Sequence, residues 1–317
     1  MSFHPLVGQS VNTDAHPLPD LIDGTAPHPS SQQTTSMTMT RHTTTYLAAS
    51  KALDPLKQIR IACIRYHTPA RTVSIVITVR APNRCRSRVE AADWDAIAAA
   101  LNAHGGALLP RLLTRAEAVQ LRRLYHSDEL FRATIDMHRR RYGSGQYRYF
   151  HAPYPEPVEQ LKQALYPRLL PIARDWCAKL GRDAPWPDSL DEWLLMCHAA
   201  GQARSTALLL RYGPDDWNAL HRDLYGDLVF PLQVVINLSD PDTEYTGGEF
   251  LLVEQRPRAQ SRGTAIQLPQ GHGYLFTTRD RPVRSTRGWS TSPVRHGLSV
   301  VHSGERYALG LIFHDAA

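Results

Sequence analysis

Apolar positions divide the chain into two kinds of segment. Over residues 93–102 they recur at helical spacing (Trp94, Ile97, Leu101) and stop at Gly105-Gly106, which predicts an amphipathic helix with a glycine end. Thr114-Arg-Ala-Glu117 has the order of a capping box and predicts a second helix, to about Tyr125. Between the two, residues 107–113 read as a short strand and turn. Glu156–Leu180 carries Leu161, Leu165, Leu169 and Leu170 at helical spacing, with kinks expected at Pro167 and Pro171. The apolar stretch Leu190–Ala199 fits either the first strand of a sheet or a buried helix.

After Ala207 the period changes. Residues 207–212, 232–238, 250–253, 265–268, 273–276 and 306–313 are short strand-like runs separated by turn residues. Many short strands with turn signals predict a mainly β core inside an α+β protein, a double-stranded β-helix or jelly roll with flanking N-terminal helices. The division expected is a domain over 91–317, with helical support at about 91–200 and the jelly-roll core at about 205–315. Residues 1–90 form a leader that is disordered or non-essential, or that precedes a downstream translation start. Its first 45 residues are rich in Ser, Thr, Pro, His and Gln and poor in apolar content. Two strand-like runs, 59–64 and 73–79, stand among arginines with no obvious partner.

Charge and cysteines narrow the setting. The formal net charge is +6, but residues 1–90 hold ten Lys/Arg against five Asp/Glu, so the excess lies mostly in the leader. The basic balance therefore does not by itself make the domain a nucleic-acid binder. No apolar run reaches the roughly 20 residues needed to span a bilayer. The start lacks a basic region followed by an apolar block. The four cysteines are scattered without a Cys-x-x-Cys, which excludes a zinc cluster of that type and points to a reducing, cytoplasmic setting.

The candidate chemistry lies between Tyr212 and Phe313. In His221-Arg-Asp223 the imidazole and carboxylate are two residues apart, and on a strand such residues share a face. A second, distant histidine would complete two imidazoles and one carboxylate, a set that leaves coordination positions open and suits non-haem Fe(II). His126-Ser-Asp128 repeats the spacing but follows a helical pattern and lacks strand context. For the distal histidine the chain offers His272, His296, His302 and His314. Of these, His296 is followed ten residues later by an arginine, Arg306, inside an apolar strand-like run. Its planar fork could grip the far carboxylate of a dicarboxylic acid.

With His221-x-Asp223, His296-Gly-Leu-Ser299 and Ser303-Gly-Glu-Arg306-Tyr-Ala-Leu309, the chain resembles Fe(II)/2-oxoglutarate-dependent dioxygenases. The likeness is to their prolyl 4-hydroxylase-like branch, and to a bacterial group of such oxygenases. Gly247-Gly-Glu-Phe250 matches that branch's Gly-Gly-Glu turn. The resemblance implies that His221, Asp223 and His296 hold Fe(II), that Arg306 and Tyr212 bind 2-oxoglutarate, and that O₂ is the oxidant that hydroxylates a substrate C–H.

The substrate expected from the resemblance is a protein side chain or an amino acid. The alternatives are oxidative demethylation of an alkylated nucleobase and oxidation of a small anionic metabolite. Three arginine-rich loops, at Arg140, Arg256 and Arg284, offer charge, and Tyr147 offers a stacking face. The Gly143-Ser-Gly145 stretch beside Arg140 fits either the hinge of a lid or a solvated basic turn beside a β-hairpin. No membrane partner is expected.

Overall fold

The computed structural model describes residues 46–48, 59–68, 71–80, 84–256 and 259–317, with side chains from Cys85 onward. The disorder expected for residues 1–45 lies outside the described residues. Strands β1 (Tyr46–Ala48), β2 (Ile59–Thr68) and β3 (Arg71–Arg80) form a small antiparallel sheet. The two arginine-flanked runs therefore do have partners, namely each other, with Ile59 opposite Arg80 and Thr68 opposite Arg71. Helix α1 (Arg84–Glu90) follows, and its Cys85 and Val89 are buried in the main core. Packed structure thus begins a few residues before Ala91.

Helix α2 (Trp94–His104), strand β4 (Gly106–Leu109) and helix α3 (Arg115–Arg123) stand where the pattern places them. Gly105 ends α2 in the left-handed region, φ 81°, and both halves of the Thr114/Glu117 capping box are formed. Helix α5 (Glu156–Leu180) runs as one element through Pro167 and Pro171, after the short α4 (Met137–Arg140). Trp176 on α5 donates its indole N–H to Asn102 at 2.7 Å, locking it to α2. The ambiguous apolar stretch is helix α6 (Leu190–Ala199), whose Trp193 is fully buried and donates to the Phe313 carbonyl at 2.7 Å.

The Gly143-Ser-Gly145 stretch, open to a lid hinge or a turn beside a hairpin, is a crossing between sheets. Strands β5 (Phe131–Asp136) and β7 (Gln146–Phe150) pair with each other, while β6 (Gly143–Ser144) joins a different sheet. Gly143 has φ 131°, and a Cβ there would lie 2.3 Å from the Trp217 carbonyl oxygen. At Gly145, φ 117°, it would lie 2.8 Å from the Tyr212 ring. The glycines thus allow close approach in a backbone region closed to other residues, rather than supplying a hinge.

The remaining strands are β8 (Leu208–Tyr212), β9 (Trp217–His221), β10 (Leu232–Asn237), β11 (Tyr245–Gly247), β12 (Phe250–Glu254), β13 (Arg262–Ile266), β14 (Gly273–Thr277), β15 (Asp280–Ser285), β16 (Gly288–Leu298), β17 (Val301–Gly304) and β18 (Arg306–Ile312). The larger sheet has the order β4-β14-β10-β18-β8-β7-β5 and the smaller β13-β12-β16-β9-β6, with β15 paired to β16. Their strand pairs are all antiparallel, and neither sheet closes into a barrel. Alternation along β10 shows how the layers stack. Leu232, Val234 and Ile236 join the core that includes the helices, whereas Val235 packs with Phe250, Leu252 and Val294 of the smaller sheet. The larger sheet thus has helices on one face and the smaller sheet on the other.

One buried group makes stability depend on pH. His314 is fully buried, and desolvation pulls its imidazole down to about 4. Its Nδ1 accepts the Phe230 N–H at 3.3 Å, which requires the neutral ring. The unfolded chain protonates this group near pH 6.5, so the folded state binds fewer protons below that pH. Its contribution is complete above pH 6.5 and is lost as pH falls towards 4. Between pH 7 and 5 we expect a stability loss of about 2 kcal/mol from this residue. Urea midpoints should show a smaller loss in His314→Gln over the same interval; an equal loss would assign the effect elsewhere.

Candidate metal centre and cavity

Two neighbouring strands of the smaller sheet build the centre. β9 and β16 pair so that His221 stands opposite His296, and their ring centroids are 4.2 Å apart. Asp223 follows just past the end of β9. Its carboxylate lies 3.5 Å from His221 Nε2 through Oδ1 and 3.1 Å from His296 Nε2 through Oδ2. Ligating atoms of the three residues all fall within 4.8 Å of one another. Among the described residues this is the one such group of His, Cys, Asp or Glu.

The chain's own hydrogen bonds orient these groups. His221 Nδ1 donates to the Ala219 carbonyl at 2.7 Å, which leaves the Nε2 lone pair facing Asp223 and His296. Phe276 and Phe250 flank the His296 ring at centroid distances of 4.7 and 6.0 Å. Burial, followed by the nearby His221, pushes the His296 imidazole below its ordinary value, towards the neutral form that binds metal. Burial works against the Asp223 charge, but the two imidazoles outweigh it and hold the carboxyl well below the usual carboxylate range. For His221, burial lowers the value, but the hydrogen bond to Asp223, that carboxylate's charge and the Ala219 carbonyl together outweigh it, and the value is raised. Two imidazole nitrogens and an ionised carboxylate fit Fe(II) with positions to spare.

A tyrosine pair that the motifs did not reveal supports the carboxylate. Tyr225 donates to Asp223 Oδ1 at 2.7 Å and accepts from the Tyr149 hydroxyl at 3.2 Å. Groups of this kind tune ligand orientation, with typical effects of roughly 10–100-fold on metal affinity or activity. We expect Tyr225→Phe to weaken Fe(II) binding about tenfold, read by titrating the metal-free protein; unchanged affinity would make the contact incidental.

Arg306 opens β18 in the larger sheet, opposite Tyr212 on β8. It is 2% exposed. It has no ion-pair partner among the described residues, and its Nε has no hydrogen-bond partner. A buried guanidinium without an anion is costly, and a carboxylate is its natural complement. Tyr212 is equally buried, with its hydroxyl accepting from Asn218 Nδ2 at 3.2 Å. The Gly-Gly-Glu turn gives Arg306 its space: a Cβ on Gly248, φ 62°, would lie 3.0 Å from the arginine Cδ.

The metal-site residues, Arg306 and Tyr212 all line one cavity of about 360 Å³ between the sheets. Of the expected substrate residues, Tyr147 lines it and Arg140, Arg256 and Arg284 do not. Arg140 is exposed on α4. Arg256 lies 3.5 Å from Glu254, and Arg284 sits 5.2 Å over the Trp289 ring. In their place the cavity is lined by Arg222, the middle residue of His-x-Asp, and by Gln233 on β10. Each has a buried side-chain nitrogen without a hydrogen-bond partner. His126 and Asp128 lie in short 3₁₀ turns outside the group, and His272, His302 and His314 do not join it. His198 pairs with Asp315 at 2.8 Å.

Residues 145–316 match the family Oxygenase-NA, described as an oxygenase catalysing oxidative methylation of damaged DNA. The chain belongs to this family. The chain is also 80% identical over 168 residues to an uncharacterized protein of Mycobacterium tuberculosis strain H37Rv, and equally to its counterpart in strain CDC 1551 / Oshkosh; the match spans 53% of this chain and 72% of each relative. Among solved structures it is similar to a prolyl-4-hydroxylase of Pseudomonas putida (16% identity, 71% of this chain and 99% of that one, TM-score 0.44). Another is a prolyl hydroxylase of Trichoplax adhaerens in complex with a hypoxia inducible factor peptide fragment (15% identity, 73% and 92%, TM-score 0.45). This member of the Oxygenase-NA family brings His221, Asp223 and His296 together in a group able to hold a metal ion. No described helix is long and apolar enough to cross a membrane.

Proposed function

We propose that this oxygenase oxidises an alkylated base of DNA within the cavity between its sheets. The observation that carries the reading is the composition of the cavity wall. Beside the His-Asp-His group stand Tyr142 and Tyr147, faces on which a base can stack, and Arg222, a guanidinium with no partner for its buried Nε among the described residues. Tyr142 is 52% exposed, so it reaches from the cavity to the surface. The family's description, which names damaged DNA, points the same way.

In this reading the facing sheets are a double-stranded β-helix, and the catalytic unit begins near α1. His221, Asp223 and His296 hold Fe(II). Arg306 holds the far carboxylate of 2-oxoglutarate with Tyr212 beside it. When bound, iron, 2-oxoglutarate and O₂ supply oxidation of a substrate C–H coupled to decarboxylation of 2-oxoglutarate to succinate. The chain's residues supply placement. His221 is held by Ala219 and Asp223 by Tyr225, Phe250 and Phe276 wall His296 from water, and the tyrosines fix the base above the metal.

The test is turnover of N-methylated single-stranded DNA with Fe(II) and 2-oxoglutarate, read as succinate and formaldehyde together. Formaldehyde released in step with succinate supports the reading. Succinate stimulated by a Pro/Lys peptide pool or by free amino acids, and not by DNA, would replace it with side-chain or amino-acid hydroxylation.

A further inference from the structure

Gln233 is 3% exposed, lies on the central strand β10 and lines the cavity. Its register partners are Phe276 on β14 and Ile312 on β18, and Val235, two residues along, shares its face. Leu208, Leu210 and Ala308 line the same cavity. The carboxamide is thus a polar group set in an apolar wall. Its Nε2 is buried and has no hydrogen-bond partner among the described residues. An amide buried without partners costs free energy that a leucine or methionine there would not. It also stands close to the reacting centre: Phe276, directly across from Gln233, has its ring 4.7 Å from that of His296.

We infer that Gln233 is the residue that reads the base, its carboxamide pairing with the hydrogen-bonding edge of the nucleobase in the cavity. This rests on the proposal that the substrate is a DNA base. A carboxamide is uncharged and presents a donor and an acceptor side by side, which is the complement of a base edge bearing both. A base taken out of its stack is read in this manner, by hydrogen bonds to its edge and stacking on its faces. In this cavity the faces belong to Tyr142 and Tyr147, and the edge belongs to Gln233. The same amide would have no role in gripping 2-oxoglutarate, since Arg306 lies at the opposite end of β18 from Ile312, the neighbour of Gln233.

The experiment compares the full chain with Gln233→Met, which keeps the length of the side chain and removes its hydrogen bonds, and with Gln233→Leu. Each is assayed with Fe(II), 2-oxoglutarate and single-stranded DNA carrying N-methylated adenine or cytosine. Formaldehyde release gives kcat and KM, and a thermal melt is recorded for each protein. The expected result is a fall of about 10- to 100-fold in kcat/KM on DNA for both variants. Their thermal midpoints should equal or exceed the parent's, because an unpartnered buried amide has been removed. Variants as active on DNA as the parent would overturn the inference while leaving the DNA reading intact. A lowered midpoint in both variants would overturn it too, assigning Gln233 a structural part. A parent protein that releases no formaldehyde from either DNA, yet makes succinate with peptide, would remove the DNA reading and this inference with it.

Discussion

Asp223→Ala is expected to bring Fe(II)-dependent 2-oxoglutarate turnover below about one-hundredth of the parent's, beyond the 10–100-fold range typical of a group that only supports a ligand. His296→Ala should do the same. Asp223 contacts both imidazoles, and its removal takes away the one carboxylate of the group. The loss should appear first as iron binding, measured by metal content after dialysis, and only then as turnover. His302→Ala is the control. It lies on β17 outside the group and should keep iron and activity. If His302→Ala loses iron and His296→Ala retains it, the distal ligand is misassigned.

Arg306→Ala is expected to separate the two cofactors. Removing one partner of a buried, hydrogen-bonded charge pair costs about 2–5 kcal/mol, or roughly 30- to several-thousand-fold in affinity. The KM for 2-oxoglutarate should rise by that order while iron content stays at the parent level, because Arg306 belongs to the larger sheet and the His-Asp-His group to the smaller. Arg306→Lys should recover part of the loss, since an ammonium supplies charge but not the planar fork. An unchanged 2-oxoglutarate KM in Arg306→Ala would mean that another group holds the cosubstrate. The melting point of Arg306→Ala should not fall steeply, because the residue removed is itself a buried charge with no ion-pair partner among the described residues.

Much of this architecture could be read from the residues because its signals are local. The caps at Thr114 and Gly105, the alternation after Ala207 and the two-residue spacing of His221 and Asp223 are short-range features, and each is realised in the fold. His296 was singled out through its distance to Arg306, a short-range relation because only the four-residue β17 separates β16 from β18 along the chain. The expected substrate arginines do not line the cavity, and the reason is the opposite one. A run of arginines in a loop says nothing of where the loop lies. Arg256 and Arg284 turned out to be engaged with Glu254 and Trp289. For Gly143-Ser-Gly145 the residues alone left a hinge and a turn both open, and the fold uses the stretch for close approach to Trp217 and Tyr212. Tyr225 and Gln233 carried no local signal at all. Their meaning depends on partners present or lacking in space, which no spacing along the chain encodes.

The His-Asp-His group and Arg306 belong to facing sheets joined through β17, and that connection alone does not fix the gap between them. What sets it is the shared apolar layer in which Val235, Phe276 and Ala308 meet Phe250 and Leu252. The layer's thickness therefore acts as a ruler for the span between the His-Asp-His group and the Arg306 guanidinium. A side chain a methylene longer or shorter in that layer would mis-set the span while leaving the His-Asp-His group and Arg306 themselves unchanged. Catalytic efficiency and core packing are then one property, and changes at Val235 or Ala308 should register in coupling of succinate to product before they register in stability.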